Sequence, residues 1–338
     1  MISVIICSRR EKLDPDLAEN IRQTVGVPYE IIRIDNSHGQ YNIFEAYNLG
    51  VGRAKGEFLC FMHEDIVFHS NDWGRAVEQY LSKPQVGAIG VAGGNVVLDR
   101  FDWRFYGDFY HTYMMQGAFT VTEQPEYTIL AYPPPKRRPL FQVAVIDGVW
   151  MCMRRNLFDT VRFDDVTFHD FHLYDSDICM QINAMGLGVF VTNDVLLEHR
   201  SEGTFSRGFT DALQVFFDKW RNNLPMIRGA MVSDAQIQHI LIHTATYFEE
   251  RLRHDAIVIE LRRLFAQKRL GKAVRPYTEE ERSVMDRSFY QHIKCCIKNH
   301  RIPASEVWAT VRRYCRSEFA RHPWKVRLKF LWYRVLGF

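Results

Sequence analysis

Three short clusters of ionisable side chains stand out by type and spacing. His63-Glu64-Asp65 follows directly on the apolar run Phe58–Met62. Acids at the end of a buried strand are costly unless they cap a turn or hold a cation. A hard divalent ion takes oxygen ligands and often joins one carboxylate to a diphosphate. A turn capped by Asp65 and a metal site both fit. The second cluster, Phe171-His172-Leu173-Tyr174-Asp175-Ser176-Asp177, opens a helical pattern. Carboxylates are favoured there by the exposed amide N–H groups. Asp175 and Asp177 are either two capping acids or include a general base, which must reach a hydroxyl within hydrogen-bonding distance. The third is Glu198-His199-Arg200, after the runs Gly188–Thr192 and Val195–Leu197. His199 is either an ordinary surface or core histidine or an imidazole supplied to a metal held by Asp65.

The first half alternates β-rich runs with helical stretches, the pattern of a parallel α/β sheet. Strands are predicted at Ile2–Cys7, Tyr29–Ile34, Phe58–Met62 and Val86–Val91, with helices over Leu17–Val25 and Asn42–Ala54. Continuous apolar strands of this kind are covered on both faces. Open α/β sheets bind ligands at the carboxyl ends of their strands, where Asp35-Asn36-Ser37 and His63-Glu64-Asp65 fall. Further strands are predicted at Val143–Ile146, Trp150–Met153 and Gly188–Thr192, and a helix at Asp175–Met185. The pattern breaks over Asp99–Gln142, which holds Phe101, Trp103, Phe105, Tyr106, Phe109, Tyr110, Tyr113 and Phe119, then Pro133 to Pro139. An aromatic-walled substrate insertion and a packed loop or hairpin over the sheet both fit that composition. After about Thr210 the strand signal disappears, with helices predicted from Asp234 and over Glu279–Lys298 and Ser305–Phe319. These observations divide the chain at 1–208 and 209–338.

The chain has 338 residues, 47% of them hydrophobic and 25% charged, enough for a sizeable core in one or two domains. No apolar run approaches the roughly 20 residues of a membrane span. Ile2–Cys7 is too short for a secretory signal and lacks a basic leader. Seven cysteines without a metal-like pair of pairs fit a reducing compartment, so a cytoplasmic location is expected. From Lys294 to Phe338 eleven Lys and Arg face only Glu306 and Glu318, a net +9, which leaves −6 on the first 293 residues of a chain whose total is +3. Ser317–Phe338 interleaves these cations with Phe319, Trp324, Phe330, Trp332 and Tyr333. Such a segment either lies in an anionic membrane interface or docks on the body of the chain. A basic tail on an acidic body does not fit a nucleic-acid-binding protein.

The order of these pieces resembles the nucleotide-sugar-dependent glycosyltransferases of the GT-A fold, in particular a bacterial family-2-like branch. The resemblance runs from about Ile2 to Phe205. It lies in ISVIICS, in IIRIDNS where the family has a strand and Asp-Asp-Gly-Ser, and in AYNLGVGRAKGEFLCFMHED leading to Asp-x-Asp. It continues through VIDGVWMCMRRNLFDTVRFDD and FHLYDSDICMQINAMGLGVFVTNDVLLEHRSEG, similar to the branch's Tyr-Asp-x-Asp segment and terminal His. The resemblance implies a Rossmann-like, mixed but mainly parallel sheet followed by a helical C-terminal region. It implies that Ser8, Asp35, Asn36, Asn48, Glu64, Asp65, Asp147 and Gly148 bind the donor, Asp35 at the nucleobase and Asp147 and Gly148 beside the sugar. Asp175 matches the catalytic base, with Asp177 as the neighbouring candidate. Asp65 and His199, with His63 in the place of the first Asp, would hold Mn2+ or Mg2+. His63 departs from the classical motif, although the branch commonly carries His there, and the single Asp35 leaves ribose recognition open. Arg9 and Arg10 are either phosphate partners or surface charge.

The reaction so implied is inverting displacement at the anomeric carbon, from a nucleotide-sugar donor, UDP-sugar favoured, to a saccharide or lipid-linked acceptor at the inner face of a bacterial cytoplasmic membrane. Two other readings compete. A non-catalytic nucleotide-sugar-binding or scaffolding protein is consistent with the altered Asp-x-Asp. A sugar nucleotidyltransferase would need a Gly- and Arg-rich phosphate loop near the amino terminus, which this sequence lacks.

Overall fold

The computed structural model describes residues 1–106, 109–117, 128–131, 139–201, 203 and 205–284. The chain opens with β1 (Ile2–Ser8), α1 (Pro15–Thr24), β2 (Tyr29–Asp35), α2 (Ile43–Arg53) and β3 (Phe58–Met62). Then come β4 (Ile66–Phe68), α3 (Trp73–Leu81) and β5 (Val86–Gly90). Six short strands follow: β6 (Ala92–Gly94), β7 (Val96–Val97), β8 (Tyr110–Thr112), β9 (Met114–Gly117), β10 (Thr128–Ala131) and β11 (Leu140–Val143). After β12 (Val145–Ile146) and β13 (Trp150–Arg154) the chain forms α4 (Tyr174–Ala184), β14 (Gly188–Thr192) and β15 (Leu197–His199). It continues as α5 (Arg207–Trp220), β16 (Met226–Ile227) and α6 (Asp234–Arg269).

Seven strands make the central sheet in the order β11-β14-β5-β13-β3-β1-β2. β1, β2 and β3 run parallel, as do β5 and β14, while β13 runs against β3 and β5, and β11 against β14. The sheet is therefore mixed but mainly parallel, the α/β class that the sequence pattern predicts. β1, β3 and β5 read as unbroken apolar runs because both faces are covered. On one face Ile2, Val4, Ile6, Cys60 and Met62 pack with Leu17 and Ile21 of α1 and Trp73 and Val77 of α3. The indole of Trp73 stacks on Phe68 at 4.5 Å and meets Trp150 edge-on at 6.1 Å. On the other face α2 lies so close to β1 that a Cβ on Gly50 would come within 2.3 Å of Ile5. Each large side chain fully removed from water here contributes about 1.5–3 kcal/mol.

Local signals account for several element ends. Asp14 accepts from the Asp16 N–H at the start of α1, and Asn42 with Glu45 forms a reciprocal capping box at α2. At α6 the cap is Ser233, one residue before the Asp234 that the sequence points to: its hydroxyl takes the Gln236 N–H, and Gln236 returns the bond to the Ser233 N–H. A serine followed three residues on by glutamine closes both orphan donors, which one aspartate cannot do. α3 is not among the elements the pattern predicts. It has nine residues, and Asp72 before it sits at φ 57° without a side-chain cap bond. β16 is a two-residue pairing with β7 in the region where strands were not expected.

The described part of Asp99–Gln142 is packed. Asp102 caps the 3-10 turn Trp103–Phe105, and Trp103, Phe105 and Tyr106 are buried. Phe119, Pro133 to Arg138, the helices predicted beyond residue 284 and the basic tail lie outside the described residues. Two compact units can be distinguished. The first comprises Met1–Met115, Leu130–His199 and Arg207–Glu249, and the second the described residues of Gln116–Ile129, Arg200–Ser206 and Glu250–Phe338. Within the second, Val258, Leu261 and Val284 form a small apolar core. Among the described residues no helix is long and apolar enough to cross a membrane.

Candidate active site

The carboxyl ends of β1, β2 and β3 bring Ser8, Asp35 and the His63 turn to one edge of the sheet. Because β13 runs against β3, with Trp150 opposite Met62, its preceding residues Asp147-Gly148-Val149 arrive at that same edge. The His63 N–H donates to Val149 O at 3.1 Å. Glu64 pins the end of β1 to this turn: one carboxylate oxygen takes the Ser8 hydroxyl at 2.6 Å and the other the Arg9 N–H at 3.1 Å. Asp35 accepts from the Ser37 N–H at 3.0 Å, the Ser37 hydroxyl at 2.8 Å and Arg33 at 3.1 Å. Those donors, the Ser37 amide first, hold its carboxyl down at about 2. Asn36 donates its N–H to Ser8 O at 2.8 Å, and its side chain bonds the backbone of Tyr41.

His199 is carried in by β15, which pairs antiparallel with β4 so that His199 stands opposite Ile66. Alternation along the strand turns Glu198 the other way, to His69 at 3.2 Å. The His199 Nε2 lies 3.3 Å from His63 Nδ1 and 3.6 Å from an Asp65 oxygen. One ligand atom from each of His63, Asp65 and His199 falls within 4.8 Å of the others. Burial, and then the neighbouring His63, lower the His199 pKa to about 4 against the pull of Asp65 and Asp147. Its imidazole is therefore neutral at pH 7 and offers a lone pair. Two imidazoles and a carboxylate form a donor set suited to Mn2+ and to other first-row divalent ions.

Beside this group lies a second cluster, built around Arg104. Its guanidinium contacts Asp102 at 3.1 Å, Asp147 at 2.9 Å and Asp175 at 2.6 Å. It also lies over the Trp103 ring at 4.4 Å. Burial opposes the guanidinium charge, but the three carboxylates keep it protonated. Burial raises the Asp102 carboxyl despite Arg104. At Asp147 burial also pushes upward, but Arg104, the Val149 N–H and the two histidines outweigh it, and the net direction is down. Asp175 is 3% exposed. One of its oxygens takes Arg104 and the Gly148 N–H at 3.0 Å, the other the Ser176 N–H at 2.7 Å. A carboxylate oxygen has two lone-pair directions, and the Ser176 N–H takes one of those on the second oxygen.

Two of the expected residues, Asp177 and Asn48, are bonded away from both clusters and from the strand ends beside them. Asp177 is fully buried two residues after Asp175, where it accepts from Trp220 at 2.8 Å, Gln181 at 2.8 Å and Lys219 at 2.7 Å. It ties α5 to α4. Asn48 donates to Phe163 O at 2.7 Å and accepts the Phe163 N–H at 3.2 Å, so its amide anchors the segment after β13. Arg104 is the residue that sequence reasoning missed. Its available signal was a lone cation inside the aromatic run FDWRFY, where burial demands carboxylate partners. Tyr174, whose hydroxyl lies 2.9 Å from His63 Nε2, stood unweighted beside Asp175.

Several solved structures are similar to this chain. GalNAc-T7 with UDP, GalNAc and Mn2+ is 16% identical at a TM-score of 0.39, over 64% of this chain. This chain spans only 41% of that one. The mannosyltransferase PcManGT from Pyrobaculum calidifontis, in complex with GDP-Man and Mn2+, is 14% identical at a TM-score of 0.41, over 96% of this chain and 87% of that one. The catalytic domain of Drosophila beta1,4galactosyltransferase 7, in complex with xylobiose, is 12% identical at a TM-score of 0.34, over 60% and 71%. No curated protein matches the sequence. Residues 3–202 match the family described as glycosyltransferase like family, and since that is more than half of its length, the chain belongs to this family.

Proposed function

We propose that the protein is a metal-dependent, inverting glycosyltransferase that moves a hexosyl group from a nucleotide-diphosphate donor, UDP-sugar favoured, to an acceptor hydroxyl. The observation that carries this reading is the meeting of His63, Asp65 and His199 within 4.8 Å beside the Arg104-bound Asp147 and Asp175. Their atoms could hold Mn2+ or Mg2+, and a bound ion would supply positive charge against the departing diphosphate. Ser8, Asp35 and Asn36 take the nucleoside at the ends of β1 and β2, while Glu64 holds the end of β1 in place. Asp147 and Gly148 lie beside the transferred sugar. Asp175 takes the acceptor hydroxyl proton as that oxygen attacks the anomeric carbon from the face opposite the diphosphate, so the configuration inverts. Arg104 holds the Asp175 carboxyl at 2.6 Å for this step and Asp147 at 2.9 Å beside it.

The same reading assigns catalysis to residues 1–208 and a helical region to 209–338. Its acceptor is a saccharide or a lipid-linked glycan of a bacterial cell, reached at the inner face of the cytoplasmic membrane, where the basic tail Ser317–Phe338 would bind anionic lipid. Incubating the full chain with UDP-, GDP- and dTDP-sugars, with Mn2+, Mg2+ or chelator, tests the core of it. Release of nucleoside diphosphate that chelator suppresses and added ion restores is the expected result. Turnover undiminished in chelator would remove the metal role, and binding without any transfer would leave a nucleotide-sugar-binding protein.

A further inference from the structure

We propose that Tyr174 is a positioning residue for the ion-binding group: its hydroxyl oxygen accepts the Nε2–H of His63 and so leaves the Nδ1 lone pair facing Asp65 and His199. The inference rests on the metal-dependent reading above and adds a residue to it. A neutral imidazole carries one N–H, so whatever occupies Nε2 decides what Nδ1 can do. His63 Nε2 lies 2.9 Å from the Tyr174 oxygen, and its Nδ1 lies 3.3 Å from His199 Nε2. Tyr47, which packs against Tyr174, is itself buried. A phenol donates once and accepts as well. The Tyr174 oxygen can therefore accept from His63 and still hold its own proton. Histidines that ligate metals commonly hand their second ring N–H to an outer partner, which fixes both tautomer and ring orientation.

The phenol is held in place from all sides. Tyr174 is 4% exposed. Its ring meets Tyr47 at 5.5 Å, Phe171 at 5.9 Å and Phe44 at 6.2 Å, each near edge-on. At Gly148 a Cβ would come within 2.0 Å of the hydroxyl and 2.4 Å of the ring carbon that bears it, so glycine there leaves the room this oxygen needs. Tyr174 opens α4 directly after Leu173, whose left-handed φ of 67° turns the chain into the helix. The same turn delivers Asp175 to Arg104.

Tyr174→Phe keeps the ring packing and removes only the hydroxyl. Binding of Mn2+ alone to the full chain, read from the loss of the free-ion EPR signal, is expected to weaken about 10- to 100-fold in this variant. Asp65→Ala and His199→Ala serve as controls that lose the ion whatever Tyr174 does. A second readout needs no variant: long-range 15N–1H spectra of the histidine-labelled, metal-free native chain should show the His63 proton on Nε2. Native binding, lost in both controls but unchanged in Tyr174→Phe, overturns the role of Tyr174 and leaves the metal reading standing. A His63 proton found on Nδ1 does the same, even if the variant fails to fold. A native chain that binds no Mn2+ overturns both.

Discussion

The cluster around Arg104 and the group formed by His63, Asp65 and His199 lie on the same sheet edge but are closed in different ways. Three carboxylates, Asp102, Asp147 and Asp175, surround a guanidinium that belongs to the chain itself. In the other group two imidazoles and a carboxylate, delivered by the β3 turn and by β15, point toward one another. The difference matches what each place is asked to do under the proposed function. Beside the sugar, charge must stay constant through every turnover, and a covalently fixed cation provides that. Where a diphosphate arrives carrying negative charge and departs with more, an exchangeable cation can come and go with it.

The contrast can be broken most sharply at Asp175. Asp175→Asn is expected to lower turnover by about 10³-fold or more, within the range of positioned acid–base catalysis. Donor affinity by calorimetry should stay close to native. Retained turnover would move the base elsewhere and reduce the Arg104 cluster to a structural knot. Next in size is Arg104→Met, which strands three acids in a buried place. A loss of about 3–5 kcal/mol in urea unfolding is the expected cost of removing one partner from a buried ion cluster. Stability within error of native would mean the fixed cation is dispensable.

Acid should separate the two clusters further. His199 binds a proton at about 4 in the folded chain, against an ordinary 6.5. Between those values the unfolded chain takes up the proton first, so in chelator stability should fall as pH is lowered from 6.5 to 4. The loss from this one group is on the order of 3 kcal/mol, and His199→Gln should flatten that slope. A slope unchanged in the variant would rule out the buried neutral imidazole. The smallest effect on catalysis is expected at Asp177. Asp177→Asn should leave turnover unchanged and cost about 1–3 kcal/mol of stability through Trp220 and Lys219. Lost turnover with native stability would return Asp177 to the list of catalytic candidates.

Much of the sheet was legible because its strands are covered on both faces. Unbroken runs such as Ile2–Cys7 and Phe58–Met62 have few other structural explanations, and turn residues at their carboxyl ends locate the ligand edge. The short helix α3 was not, since its start lacks a side-chain cap. Asp65, Asp147, Asp175 and His199 could be picked out as types in a familiar order. Their meeting could not be read from spacing, because it depends on β15 pairing with β4 and β13 running against β3. Arg104 was hidden for the same reason: all it has nearby in sequence is Asp102, and its other two partners arrive from distant strands and helices. Asp177 shows the converse. Two acids at one helix start look equivalent in sequence, but a helix turns successive residues to different sides, and Asp177 ends against Trp220 rather than Arg104.

Glu64 joins the turn after β3 to the end of β1 mechanically. It stands between His63 and Asp65 in the chain, yet its carboxylate grips the Ser8 hydroxyl and the Arg9 amide at the other end. Any ligand that orders this turn from one side also orders the end of β1. Under the proposed function, an ion or a nucleotide that settled this turn would leave a site already arranged for the other, and thermodynamic linkage would make that help equal in both directions.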